Sequence, residues 1–198
     1  ELNHHFGDLE LAQKYAANAR EIDQHNRTVK HTQAEVERAL ALKAQSTYLK
    51  ESYRTRAKRF LSEMPAVDKF AASSRCKLAV DEVVDMISVI DENSRSDLVM
   101  FADKVKDAET LLLRSQQNFP EEADLFQIEA KLRACLNSGT AALNALEKAW
   151  SLGTKGSSTA LRIAEIYEDQ GRSDDALKIL KQALQKFSDD KAVHGALA

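Results

Sequence analysis

The stretch "IAEIYEDQGRSDDALKILKQAL", Ile163 to Leu184, reads as one helix, a stop at Gly171 and a second helix. Ile163 and Tyr167 recur at helical spacing before the glycine, and Ala176, Leu180 and Ala183 after it, so each segment carries an apolar stripe. Ala164, Ala176 and Ala183 are alanines where a core helix more often places Leu or Ile. Small side chains let two helix axes come close, and the larger Ile163, Tyr167 and Leu180 fill the gaps between those contacts. Neither the pair nor its two helices can bury these stripes alone, so the pattern calls for further helix pairs stacked on it.

Numbered as a 34-residue unit from Ser157, the stretch puts Ile163 at place 7, Ala164 at 8, Tyr167 at 11, Gly171 at 15, Ala176 at 20, Leu180 at 24 and Ala183 at 27. This resembles the tetratricopeptide repeat, a helix-turn-helix unit of that length. Phe187 adds an apolar residue at place 31, whereas Ser188 holds place 32, where the family usually has Pro. One period earlier, from Ala123, Ala130, Ala142, Leu146, Ala149 and Leu152 take places 8, 20, 24, 27 and 30. There Arg133 replaces the Tyr, and Gly139 comes two residues late. One period later, from Lys191, Leu197 and Ala198 take places 7 and 8. At the start of the chain Gly7, Ala12, Ala16, Ala19, Ile22 and Asn26 match places 15, 20, 24, 27, 30 and 34, a second helix whose first helix lies upstream or is missing. A new first helix begins near Arg27, with Ala34 at place 8 and Glu37 in the Tyr place.

Between about 40 and 120 the period lapses but helical spacing persists. Leu49, Tyr53, Ala57, Phe60 and Leu61 form one stripe; Cys76, Val80, Val83, Val84 and Ile87 a second; Leu98, Phe101, Val105, Ala108, Leu111 and Leu112 a third. Gly and Pro, with short polar clusters, punctuate these segments as helix stops. The resemblance therefore implies an all-α, right-handed superhelical solenoid of antiparallel helix pairs, with longer irregular pairs in the middle. Its expected organisation is one array over 1–198: a half repeat at 1–26, drifted pairs at 27–65 and 66–119, repeat units at 123–156 and 157–190, and the start of a further helix at 191–198.

Composition agrees and sets limits. The 198 residues include only 2 Pro and 6 Gly, 30% are charged, and strong helix formers abound. A net charge of −3 argues against a chain built as a whole to coat nucleic acid or an anionic membrane. No apolar run approaches the roughly 20 residues that span a bilayer, and no signal-peptide pattern is present. A cytoplasmic protein with reduced thiols is the expectation. The chain opens at Glu1 without an initiator Met, which suggests a segment of a longer polypeptide.

The search for chemistry yields no catalytic set, no cofactor motif and no metal site. The histidines His4, His5, His25, His31 and His194 form no His-x-x-x-His pair. Cys76 and Cys135 read as structural thiols, and "SLGTKGSST" (151–159) lacks the spacing and preceding strand of a phosphate loop. Asp81, Glu82, Asp85, Asp91, Glu92, Asp97 and Asp103 read as a solvated face, with an acidic docking surface for a basic partner between about 81 and 130 as the functional version. "KESYRTRAKRF" (50–60) sets Arg54, Arg56, Lys58 and Arg59 around Tyr53, a candidate basic patch. With Tyr53, Ala57 and Phe60 in the buried stripe, its cations are expected mostly on the exposed side.

The resemblance further implies that first helices line a concave face whose places 2, 5, 9, 12 and 13 touch a partner. Carried over, these are Thr28, His31, Glu35, Arg38 and Ala39; Asp124, Gln127, Lys131, Ala134 and Cys135; and Ser158, Leu161, Glu165, Glu168 and Asp169. Members that clamp a chaperone's C-terminal carboxylate use Lys at place 5 and Asn at place 9. Here those places hold His31 and Glu35, Gln127 and Lys131, Leu161 and Glu165, so that clamp is not expected. The implied function is a non-enzymatic scaffold for a protein or peptide segment. Its alternatives are a sensor or regulatory array serving other domains of the same parent chain, such as a bacterial signalling or defence ATPase, and, behind both, a nucleic-acid-binding array.

Overall fold

The computed structural model describes residues 9–23, 25–91 and 94–197. The described residues form ten helices and no strand, as expected for the all-α class. They are α1 (Leu9–Ile22), α2 (Arg27–Lys43), α3 (Thr47–Ser62), α4 (Lys69–Ile87), α5 (Arg95–Asn118), α6 (Ala123–Cys135), α7 (Gly139–Leu152), α8 (Ser158–Asp169), α9 (Ser173–Lys186) and α10 (Lys191–Ala196). Consecutive helices joined by short turns pack as antiparallel pairs, most closely α2 with α3, α6 with α7 and α8 with α9. The chain divides into two compact units, Glu1–Leu111 and Leu112–Ala198, with the boundary inside α5. The expected marks at His4, His5, Gly7, Glu92 and Asn93, and at Ala198, lie outside the described residues.

In the C-terminal unit the 34-residue period is written in hydrogen bonds. After α8 the Arg172 amide donates to the Tyr167 carbonyl at 2.8 Å, across Gly171 at φ +70. One period earlier the Ser138 amide donates to the Arg133 carbonyl at 2.8 Å, across Asn137 at φ +56. Both are helix stops through a left-handed residue, which Gly adopts without strain and Asn tolerates. Asn137 thus holds place 15. The apparent lateness of Gly139 is resolved, because Gly139 opens α7 instead of closing α6.

The core of this unit is the alanine seam read from the sequence. Ala160, Ile163, Ala176, Ala183 and Val193 are fully buried, with Ala164, Leu146, Leu180 and Tyr167 against them. Each large apolar member contributes on the order of 1.5–3 kcal/mol relative to exposure. Trp150 closes one edge: its Nε1 donates to Gln182 Oε1 at 3.3 Å and the Lys186 ammonium lies 4.4 Å above the ring.

The N-terminal unit uses longer helices. α2 has 17 residues and α4 has 19, against 12 in α8, which is why the period lapses there. Asn26 caps α2 by accepting from the Thr28 and Val29 amides, and Asp68 caps α4 by accepting from the Ala71 amide. Ala34, Ala57, Phe60, Leu61, Met64, Ala71 and Leu78 form the apolar core.

Candidate functional site

The candidate positions fall into two different environments. In the C-terminal unit α6, α8 and α10 are successive first helices, and they stand beside one another. Gln127 Nε2 donates to Thr159 Oγ1 at 2.6 Å, tying α6 to α8, and α8 contacts α10. Ser158, Glu165 and Glu168 are exposed on α8; Asp124, Gln127 and Lys131 are half-buried on α6. Leu161 is half-buried against the core, and Glu168 accepts from Ser173 Oγ at 2.9 Å. This arrangement brings polar and charged side chains of both signs onto one row of helices.

In the N-terminal unit the corresponding places meet α4. Thr28 is exposed beside its cap. His31 is half-buried, with Nε2 3.1 Å from Ser74 Oγ and its ring 5.8 Å from that of Phe70. Glu35 is 6% exposed and accepts from Ser74 Oγ and from Arg38 Nε, the latter at 3.2 Å. Arg38 reaches on to Asp81 at 2.8 Å. His31, Glu35 and Arg38 are thus gathered, together with Ser74 and Asp81, into one polar seam between α2 and α4.

The electrostatics follow from that burial. Desolvation pushes the His31 imidazole below its ordinary value, against the opposing pull of Glu35. Burial acts to raise the Glu35 carboxyl, but Arg38, Lys77 and the Ser74 hydroxyl outweigh it and hold it below the ordinary carboxylate range. Arg38 is likewise desolvated, yet Glu35 and Asp81 keep its guanidinium above its usual value. Ser74 stands between His31 and Glu35, so Glu35 hydrogen-bonds the serine. With Ser74 itself 1% exposed, the trio has the geometry of an interior hydrogen-bond chain and not of a nucleophilic site.

Of the basic stretch, Arg56, Lys58 and Arg59 are exposed, as expected, whereas Arg54 is not. Arg54 is 5% exposed and ion-paired with Glu51 and Asp85. Arg56 meets Glu37 at 2.8 Å, Lys58 meets Glu82, and Arg59 lies 4.0 Å from Glu63. In the acidic stretch Asp91 and Asp103 are exposed, as expected of a solvated face, but two positions depart from it. Asp81 and Glu82 are buried, not solvated, and serve as the internal partners of Arg38, Lys58 and Lys104. Burial would raise the Glu82 carboxyl, but the two lysines hold it below its ordinary range. The missed signal is complementary spacing: carboxylates at 81, 82 and 85 on one helix answer cations at 38, 50, 54 and 58 on two others.

Cys76 is fully buried and Cys135 half-buried, its thiol raised by burial against the pull of Lys131. Among the described residues no three His, Cys, Asp or Glu side chains converge as a metal-ligand set, and no helix is long and apolar enough to cross a membrane.

Comparison with known proteins bears on the helical-repeat fold. Residues 137–198 match the family model described as tetratricopeptide repeat. The structure is similar to TTC0263, a thermophilic TPR protein of Thermus thermophilus, with a TM-score of 0.70 over 98% of this chain and 91% of that one, at 16% identity. A weaker likeness, TM-score 0.38 at 13% identity over 99% of this chain and 90% of the other, is to Acl4, an assembly chaperone of RpL4. No curated protein matches the sequence.

Proposed function

We propose, from the premise that residues 137–198 are tetratricopeptide repeat sequence, that this chain is a scaffold that binds a protein or peptide segment along its row of first helices. The observation that carries this is the alignment of α6 and α8 through the Gln127–Thr159 bond, with Glu165 and Glu168 exposed beside half-buried Asp124, Gln127 and Lys131. Such a row offers polar anchors at successive helical turns, the arrangement that suits an extended segment read by a few contacts. Ser158 and Leu161 belong to the same surface, the latter offering apolar area between the charges. In the N-terminal unit the proposed contribution is smaller. Thr28 and the accessible edges of His31 and Arg38 are available to a partner, while Glu35 supports them from within.

The mixed signs on α6 and α8 favour a partner segment that itself carries both charges. Selection of peptides on the full chain from a random display library, followed by amide NMR of the complex, tests this. Shifts clustered on α6 and α8, with affinity lost in the Lys131→Glu and Glu165→Lys variants, are expected. Ligands that leave α6 and α8 unperturbed would overturn the proposal.

A further inference from the structure

The N-terminal unit contains a cavity of about 340 Å³ between α3, α4 and the middle of α5. That volume lies at the small end of ligand sites and well above the space one water takes. The cavity exists because α5 does not pack closely on α3 or α4. One charged clasp bridges the gap: Lys58 of α3 and Lys104 of α5 both reach Glu82 of α4.

The surface open to a ligand is mostly apolar. Leu61 and Leu78 stand behind it, 1% and 2% exposed, and belong to the core. Ala79 and Leu111 are half-buried and are the apolar residues a ligand can touch. Lys58, Ser62 and Asp107 are exposed and form the rim.

The lining charges do not balance. Three cations, Lys58, Arg75 and Lys104, face two carboxylates, Glu82 and Asp107. Both oxygens of Glu82 are taken, Oε1 by Lys58 and Oε2 by Lys104 at 2.9 Å. Glu82 first and Asp107 further raise the Lys104 ammonium above its ordinary value, so both carboxylates are engaged.

Arg75 is the cation left over. It is half-buried and has no ion pair among the described residues. Its hydrogen bonds run from Nη2 to the Leu61 and Met64 carbonyls, the second at 3.0 Å. Those bonds close the C-terminal end of α3, a task that needs N–H donors but no charge. The helix end offsets about half of an elementary charge. The remainder is unanswered, and the N–H groups of Nη1 and Nε have no acceptor within the chain.

We infer that this cavity is a binding site for a small monocarboxylic acid with an aliphatic body. The carboxylate accepts from the uncommitted N–H groups of Arg75, and the aliphatic body lies on Ala79 and Leu111. One surplus cation suits a singly charged head group, whereas a phosphate brings further negative charge that nothing in the lining answers. The site shares no residue with the first-helix row.

Chemical-shift titration of the isotope-labelled full chain with hexanoate, hexanamide and hexylamine tests this. Hexanoate is expected to bind at least about tenfold more tightly than either of the others, the worth of one charge-assisted contact. Its shifts should cluster on Ala79, Lys104 and Leu111. Arg75→Gln keeps a donor for the α3 carbonyls and is expected to erase the preference over hexanamide. Ala79→Phe is expected to abolish hexanoate binding by filling the cavity. Equal binding of hexanoate and hexanamide overturns the inference, as does hexanoate binding that survives Ala79→Phe, or no hexanoate binding at all. Should Ala79→Phe not fold, the Arg75→Gln comparison decides: a preference that persists overturns the inference, and its loss upholds it.

Discussion

The two units close their helix stacks with different chemistry. In the C-terminal unit α7, α8 and α9 meet through Ala145, Ala160, Ala164, Ala176 and Ala183, with Leu146, Ile163 and Leu180 between them. In the N-terminal unit α2 and α3 meet α4 through the apolar core around Leu61 and Leu78 and, beside it, through charge: Arg38 with Asp81, Arg54 and Lys50 with Asp85, Lys58 with Glu82. An alanine seam gains by burying apolar area and by close approach. A charged seam recovers in Coulomb attraction and hydrogen bonds what it loses in desolvation, and it is stable only while both partners remain. The first tolerates small losses at many points; the second concentrates its risk in a few atoms.

The largest effect is expected from removing one partner of the charged seam. Arg38→Met leaves Glu35 and Asp81, both buried, without their shared cation, and should cost about 3–5 kcal/mol in urea unfolding near neutral pH. A loss below about 1 kcal/mol would place this seam with exposed ion pairs and erase the contrast. In the alanine seam Ala176→Trp forces a large ring into a fully buried site and should cost about 1–3 kcal/mol by overpacking, read from the thermal midpoint. An unchanged midpoint would mean that α8 and α9 are not held by close approach at Ala176.

Acid should separate the units without mutation. Glu35 and Glu82 are held below the ordinary carboxylate value of about 4.3. The folded state therefore binds fewer protons than the unfolded one as pH falls through that range, and stability present above it is lost toward the lower folded values. Burial has lowered His31 from its ordinary value near 6.5, which has the same sign, so the loss begins there first. In the C-terminal unit Tyr167 is raised, chiefly by its hydrogen bond to Glu147. That contribution is present below the ordinary tyrosine value of about 10 and is lost only as pH rises through the folded one. Hydrogen exchange followed from pH 7 to 4 should show α2 and α4 losing protection before α8 and α9; simultaneous loss would break the comparison. The smallest effect belongs to Arg59→Ala, an exposed residue 4.0 Å from Glu63, which should change stability by less than about 0.5 kcal/mol in the same urea assay.

The contrast also explains what is legible in the sequence. An alanine seam is specified by residue size at fixed places, so Ala164, Ala176 and Ala183 announce it, and the stop at Gly171 sets its phase. The turn at Asn137 is hidden because Asn and Gly share the left-handed conformation and only the backbone shows which residue adopts it. The charged seam has no such mark. Arg38 and Asp81 are 43 residues apart, and each alone looks like a solvated helix residue. Arg54 reads as an outward residue for the same reason, since its stripe neighbours are apolar but its own partner, Asp85, lies on another helix.

Stacked helix pairs pose a problem of identity. Neighbouring pairs are alike, and an apolar surface accepts nearly any other apolar surface, so a pair can dock one turn out of step or beside the wrong neighbour. In the N-terminal unit a shift of α4 along α2 by one turn, about 5.4 Å, would carry Asp81 away from Arg38 and Ser74 away from both His31 and Glu35 at once. In that shifted docking Arg38 and Asp81 lose the pairing that offsets their burial. The seam thus acts as an address, marking α4 as the proper neighbour of α2 among helices that hydrophobic packing alone would treat as interchangeable.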